Sequence, residues 1–180
     1  MSMELMIIVG SVILIVLIIV ISIYNILVEK QKKIERSKSL VDVYLKKRFD
    51  LIPNLVEVCK GYSKYEKETL ENIVKLRSSF NESPTSEARD ELNKVYNNLL
   101  AVLEKYPDIK AGENYLKLQK ELTNVENEIQ ASRRIYINSI TSYNNSVMKF
   151  PSSILAKLFG FKKYELPKYD YSDIKVDFNK

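Results

Sequence analysis

The sequence predicts an all-α protein, in which an N-terminal transmembrane helix precedes an antiparallel bundle of three or four long helices. The chain opens on a long uncharged aliphatic run, and the remainder repeats apolar residues at intervals of three and four. Its 180 residues include only 4 Gly and 5 Pro. Because Gly and Pro mark turns and hairpins, their scarcity favours long helices.

Residues 5–28 form the first element, and no residue between Glu4 and Glu29 is charged. A helix over this run is roughly 36 Å long, enough to cross a hydrocarbon core about 30 Å thick. A cleaved signal peptide is the competing interpretation, but no Lys or Arg precedes the run and no small-x-small cleavage site follows it. A buried core helix is the other alternative, but core helices rarely lack a polar face over so long a run. We therefore expect a membrane anchor.

A basic segment, residues 29–47, follows the anchor and should continue as helix. Residues 29–48 hold eight Lys or Arg and three Asp or Glu, a net charge of +5, which equals that of the whole chain. The positive-inside rule then leaves residues 1–4 outside and places the remaining chain in the cytoplasm. Contact with anionic lipid head groups is expected, and nucleic-acid binding is not, because the rest of the chain is nearly neutral. The head-group candidates are Lys30, Lys32, Lys33, Arg36 and Lys38.

An apolar stripe begins the cytoplasmic body, with Arg48, Glu66 and Thr69 as polar intrusions. Pro53 lies inside this pattern, where it either kinks one helix or begins another. Asp50 is a candidate N-cap for a new helix. The stripe comprises Ile34, Val41, Leu45, Ile52, Leu55, Cys59, Tyr62, Ile73, Leu76 and Phe80.

The turn "NESPTSE" (81–87) offers Thr85 or Ser86 as the N-cap of a second helix, which ends near Tyr106-Pro107. Its apolar face carries Ala88, Leu92, Val95, Leu99 and Val102. A third helix is expected from about 113 to 149, because Pro151 stops it. The apolar element "SSILAKLFGF" (152–161) should fold back onto the bundle, and residues 162–180 are expected to form an extended tail.

The third helix carries a sustained a/d heptad seam. The seam alternates large and small residues, which lets facing helices interdigitate. We interpret the polar stretch 126–145 as part of this packing seam, in which each buried tyrosine hydroxyl needs a hydrogen-bond partner. The seam comprises Tyr115, Leu118, Leu122, Val125, Ile129, Ser132, Tyr136, Ser139, Tyr143, Ser146 and Phe150.

Residues 48–77, 99–129 and 133–161, behind a span ending "YNILVEK" (24–30), resemble the LemA family of bacterial membrane proteins. The resemblance covers nearly the whole chain. It implies a single N-terminal transmembrane helix, a short outside N-terminus and a cytoplasmic helical bundle over residues 48–161, and it supplies no mechanism. Family members often carry a Trp before the segment matching 41–53, where this chain has "RSKS" (36–39).

The composition disfavours catalysis. There is no histidine, and Cys59 is the sole cysteine. Ser-His and Cys-His nucleophile pairs, imidazole metal sites and intrachain disulfides are thus excluded. We expect no enzyme activity and no cofactor. The alternative, a carboxylate-based enzyme or metal-binding bundle, would use Glu66, Glu68 and Glu71 with Glu126 and Glu128 opposite.

The favoured function is a scaffold or adaptor at the membrane that binds a protein partner of unknown identity. The candidate contact residues are exposed polar groups near Pro53 and after the second helix: Arg48, Asp50, Asn54, Asp108, Lys110 and Asn114. For each residue singly, a structural role competes, with Asp50 capping a helix and Arg48 pairing with a carboxylate. A monomeric bundle is preferred, and a homo-oligomeric coiled coil is the alternative.

Overall fold

The computed structural model describes residues 3–60, 73–78, 80, 85–105 and 112–167. All regular secondary structure within these ranges is helical, as the composition predicts. The helices are α1 (Met3–Asp50), α2 (Ile52–Lys60), α3 (Ser86–Lys105), α4 (Glu113–Met148) and α5 (Ser152–Leu158). Residues 73–78 are also helical.

The chain divides into two compact units. Unit 1 combines Met1–Lys38 with Arg134–Lys180, and unit 2 is Ser39–Arg133. Helices α1 and α4 each contribute residues to both units.

The first part of α1 exposes its aliphatic side chains on all sides. Ile7 is 66% exposed, Ile15 56% and Ile21 58%. Among the described helices, α1 is the one long and apolar enough to span a membrane. In water such exposure would be unfavourable, at about 25 cal/mol per Å² of apolar surface.

The helix is interrupted at Leu51. The Leu51 amide donates to the carbonyl of Arg48 at 3.1 Å, which tightens the end of α1, and α2 then begins at Ile52. Pro53 thus lies in the first turn of a new helix, where its missing amide donor breaks no intrahelical bond. Asp50 does not take the N-cap role, because it is the last residue of α1 and its carboxylate binds Arg77.

Unit 2 has an apolar core drawn from α1, α2, α3, α4 and Phe80. The rings of Phe49 and Phe80 pack edge to face with centroids 5.2 Å apart. Cys59 and Tyr62 of the predicted stripe lie outside the residues whose side chains are described. The buried apolar residues are Val41, Leu45, Phe49, Ile52, Leu55, Val56, Phe80, Leu92, Tyr96, Leu99, Leu118, Leu122, Val125 and Ile129.

Helix α3 begins as its capping signal predicts. The Thr85 hydroxyl accepts a hydrogen bond from the Ala88 amide at 3.2 Å, which satisfies one of the free donors of the first turn. Leu92 and Leu99 are buried as expected, and Tyr96 joins them.

The seam of α4 is confirmed in large part. Most of its residues from Leu118 to Tyr143 are buried, including Ser132 and Ser139, whose hydroxyls donate to carbonyls of their own helix. Ile140 is also buried, and the seam ends before Phe150, which is 80% exposed. The prediction fails at Phe150 because α4 ends at Met148, so helical spacing no longer sets the direction of that side chain.

In unit 1, the residues after Pro151 pack against α1 and α4. Helix α5 buries Ala156, and Gly160 turns the chain with φ +74°, a conformation that glycine adopts without strain. Residues 161–167 have no regular secondary structure. The Tyr143 hydroxyl donates to the Lys162 carbonyl at 3.1 Å. The apolar element therefore folds back, as its sequence predicts, and residues 168–180 lie outside the described ranges.

Candidate functional site

Arg48 connects three helices of unit 2. Its Nη1 lies 3.4 Å from Oε2 of Glu126 on α4, and its Nη2 donates to Oδ1 of Asn93 on α3. Its guanidinium lies over the Tyr96 ring, 4.9 Å from the centroid. The side chain is only 12% exposed. Arg48 is therefore not one of the exposed polar groups that the sequence predicted, and it pairs with a carboxylate as the structural alternative expected.

The environment of this cluster fixes its protonation states. Burial lowers the pKa of Arg48, and the nearby Glu126 carboxylate opposes that shift. Burial raises the pKa of Tyr96 to about 12, against the opposing effect of Arg48. Near neutral pH, Tyr96 is therefore neutral, while Arg48 stays charged because a guanidinium is not deprotonated in proteins. The cluster is suited to holding helices together by charge and cation–π contacts.

Two further ion pairs anchor α1 in unit 2. Asp50 Oδ1 lies 2.5 Å from Arg77 Nη2, and Asp42 Oδ1 lies 2.9 Å from Arg89 Nη2. Both aspartates are about two-fifths exposed, so solvent screens these pairs and each contributes about 1 kcal/mol or less. Asp50 thus has an intramolecular partner at the position where the sequence predicted a contact residue.

Asn54 and Asn114, two of the predicted contact residues, line the same cleft in unit 2. The cleft has a volume of about 680 Å³ and lies between α2 and the start of α4. Sequence reasoning assigned the two asparagines to different connections, and the tertiary structure brings them together. Asp108 and Lys110 lie outside the described residues. The lining residues are Asn54, Glu57, Val58, Gly112, Glu113, Asn114, Tyr115, Lys117, Leu118 and Glu121.

The described lining of the cleft carries negative charge. Lys117 pairs with Glu113 at 2.8 Å, and Glu57 and Glu121 add two further carboxylates. Sequence reasoning missed both of these residues, because no local pattern links positions that are so far apart in the chain. Carboxylates and amides together offer acceptors for a basic or hydroxyl-rich segment.

The carboxylates proposed for the alternative function have other partners where the structure describes them. Glu126 pairs with Arg48. Glu128 accepts a hydrogen bond from Tyr44, and this bond, with the negative charge of Glu128, raises the pKa of Tyr44. Glu66, Glu68 and Glu71 lie outside the described residues. Within the ranges that the structure does describe, no group of His, Cys, Asp or Glu is arranged to hold a metal ion.

The basic segment after the apolar run is mostly exposed, as head-group contact requires. Lys32, Lys33, Arg36 and Lys38 are exposed, with Lys32 paired to Glu35 at 2.9 Å. Lys30 differs, because its Nζ donates to Ser146 Oγ at 2.6 Å. Contact of these residues with lipid stays a prediction.

Unit 1 also contains an aromatic contact next to the apolar run. The Tyr24 ring packs edge to face on Phe159 and Phe161, with centroids 5.1 and 5.7 Å apart. An open cleft of about 500 Å³ adjoins this contact and is lined by residues of α1, Tyr143 and residues 159–164. Sequence reasoning identified the apolar element at 152–161 but not its partner on α1.

Together, these features define a helical protein with one N-terminal helix able to span a membrane and a helical body that contains polar contacts between its helices. The sequence model of the LemA family matches residues 37–178. The chain belongs to the LemA family, as the resemblance predicted.

The chain is also similar to proteins of three organisms. Protein LemA of Metamycoplasma hominis is 30% identical, over 74% of this chain and 63% of the relative. Magnetosome protein MamQ 2 of Paramagnetospirillum magneticum is 23% identical, over 79% of this chain and 63% of its own length. Magnetosome protein MamQ of Magnetospirillum gryphiswaldense is 31% identical over 37% of this chain and 25% of the relative. The chain thus spans less than two thirds of each of these relatives.

Proposed function

We propose that the protein is a single-pass membrane protein whose helical body acts as a non-enzymatic scaffold or adaptor on the cytoplasmic face. The observation that carries this proposal is the exposed aliphatic surface of α1, from Leu5 to Ile26. At mid-bilayer each Leu, Ile or Val contributes about −0.3 to −0.6 kcal/mol to insertion, so the run favours a membrane-embedded state.

The charge distribution supports an inside-facing body. Four of the five head-group candidates are exposed shortly after the apolar run, and residues 1–4 contain no Lys or Arg. Loops rich in Lys and Arg are retained on the cytoplasmic side.

The acidic cleft of unit 2 supports the adaptor role. Asn54 and Asn114 place amide groups beside the carboxylates of Glu57 and Glu121. A partner segment with Lys, Arg or hydroxyl side chains would satisfy these acceptors. We expect an antiparallel monomeric bundle, and sedimentation of the detergent-solubilised chain separates it from a homo-oligomeric coiled coil.

Two experiments test this proposal. Carbonate washing of membranes should leave the full chain in the pellet, and protease added outside sealed cells should leave the body intact. Release of the chain into the wash would disprove the anchor, and digestion of the body would disprove the orientation.

The contact role is tested by affinity capture from the protein's own membranes. Asn54→Ala combined with Asn114→Ala should lose a co-purifying protein that the exposed control Asn97→Ala retains. Capture that is unchanged by the double variant would remove the cleft as the contact site. Stoichiometric metal in the purified chain would instead favour the carboxylate-based alternative.

A further inference from the structure

We infer that the exposed apolar face formed by Phe150, Ile154 and Leu158 is a second membrane contact, which inserts into the lipid head-group region beside the anchor helix. We call it the C-terminal lipid face. The inference rests on the proposed membrane anchoring of α1. It concerns residues that belong to neither the anchor nor the basic segment and that have no role in the proposed function.

The C-terminal lipid face is unusually exposed for its composition. Phe150 is 80% exposed, Ile154 60% and Leu158 74%. Ile154 and Leu158 are four residues apart in α5 and share one side of the helix, while Ala156 is buried. The neighbouring side chains Met148 and Phe159 are also about half exposed. Several large apolar side chains exposed within residues 148–159 are typical of a protein or membrane contact.

Contacts within unit 1 bring this face to the level of the apolar run. Ile34 lies in a buried cluster with Ile140 and Tyr143, and Lys30 binds Ser146. The residues of α1 that contact α4 therefore lie closer to the apolar run as α4 approaches its end at Met148. Phe150 lies two residues beyond that end.

The turn after α5 reaches the apolar run itself. Phe159 and Phe161 pack on Tyr24, which lies inside residues 5–28, and Leu27 is fully buried in this unit. If lipid covers residues 5–28, the residues around Phe159 therefore lie near the depth of the final turn of the span. Aromatic side chains favour this boundary between hydrocarbon and water.

The charges around the face fit an anionic lipid surface rather than a second protein. Lys149, Lys157, Lys162 and Lys163 are exposed and flank the apolar side chains. Each cation near an anionic membrane surface contributes about 1 kcal/mol of attraction. Apolar residues at the centre with lysines at the edge are typical of helices that lie in the membrane interface.

The chain contains no tryptophan, so a single introduced tryptophan reports one position. We suggest Phe150→Trp and Leu158→Trp in the full chain, reconstituted in vesicles of phosphatidylcholine and phosphatidylglycerol that carry bromine at shallow or deep acyl positions. Ile15→Trp is the reference for the anchor. Val43→Trp, an exposed position of unit 2, is the matched control.

We expect shallow bromine to quench the emission of the Phe150→Trp and Leu158→Trp variants by about half, and deep bromine to quench it less, as for an interfacial side chain. The Ile15→Trp variant should be quenched most by deep bromine, and the Val43→Trp variant by neither. Circular dichroism of each variant checks that the helices are retained.

The outcomes separate the inference from the proposed function. Quenching of Ile15→Trp without quenching at positions 150 and 158 would overturn the lipid face and leave the anchor intact. Blue-shifted emission at those positions without quenching would mean that protein, such as a second copy, covers the face, and would also overturn it. Absence of quenching at position 15 would disprove the anchor and the lipid face together.

Discussion

Units 1 and 2 use different polar contacts to hold their helices. In unit 2, the polar contacts between helices include charged pairs, with Arg48 joined to Glu126, Asp50 to Arg77 and Asp42 to Arg89. In unit 1, neutral groups predominate, with the Tyr143 hydroxyl and the Asn144 amide bonded to backbone atoms of Lys162 and Tyr164. The difference follows the proposed environment, because charged groups are costly near hydrocarbon and neutral hydrogen bonds are less so.

The burial of large apolar side chains also differs between the two units. Unit 2 buries its large side chains, among them Phe49 at 1% exposure, whereas unit 1 leaves Phe150 and most of residues 5–21 exposed. One burial pattern suits water and the other suits lipid. The predictions below test this contrast, and each is measured on the full chain in detergent micelles.

Replacement of the central aromatic residue of unit 2 should have the largest effect. Phe49→Ala removes a fully buried ring and its edge contact with Phe80. The free energy of unfolding, from urea titration, should fall by about 3–5 kcal/mol. Phe150→Ala is the matched control, and it should change the free energy by less than about 0.5 kcal/mol because the ring is exposed. Equal losses in the two variants would contradict the contrast in burial.

Removal of the largely buried cation of unit 2, Arg48, should have the next largest effect. Arg48→Ala leaves Glu126 and Asn93 without their partner, and the expected loss is about 2–4 kcal/mol, reduced from a fully buried pair because Glu126 is 26% exposed. Lys47→Ala, at the exposed neighbouring position, should cost under about 0.5 kcal/mol. A loss as small as that of the control would show that the charge cluster does not hold unit 2 together.

Tyr96 should make stability depend on alkaline pH. Its pKa is raised from 10.0 to about 12 in the folded chain, so between these values the folded state keeps a proton that the unfolded state has lost. Stability from this group is therefore fully present below pH 10 and decreases as the pH rises through 12, by about 2–3 kcal/mol.

The measurement is the difference in unfolding free energy between the original chain and Tyr96→Phe, taken from pH 9 to 12. Other tyrosines and lysines titrate in both proteins and cancel in the difference. A difference that stays constant with pH would show that Tyr96 is not shielded from solvent.

The smallest effect concerns the neutral contacts of unit 1. The Asn144 side chain donates to the Tyr164 carbonyl at 2.8 Å and accepts from the Tyr164 amide at 3.0 Å. Asn144→Ala should weaken the attachment of residues 161–167 by about 1–2 kcal/mol, which corresponds to about tenfold faster tryptic cleavage at Lys162 and Lys163. The exposed neighbour Asn145→Ala should leave the cleavage rate unchanged. Equal rates in all three proteins would mean that Asn144 does not hold this segment.

Much of the architecture could be predicted from local patterns. The apolar run at 5–28, the N-cap at Thr85 and the seam from Leu118 to Tyr143 each depend on residues close together in sequence. Helical periodicity and capping act over one or two turns, so the sequence alone is sufficient for them. The prediction failed for Phe150, where the helix ends and the periodicity no longer applies.

The sequence by itself determined that the chain is helical, that it belongs to the LemA family, and that one segment is apolar enough to span a membrane. Only the tertiary structure decided that Arg48 is buried against Tyr96 and Glu126, that Asn54 and Asn114 share a cleft, and that Tyr24 meets Phe159. The physical reason is the distance along the chain over which each interaction acts. Helix formation depends on neighbours within a few residues, whereas these contacts join residues as far apart in sequence as Tyr24 and Phe159, which are 135 positions apart.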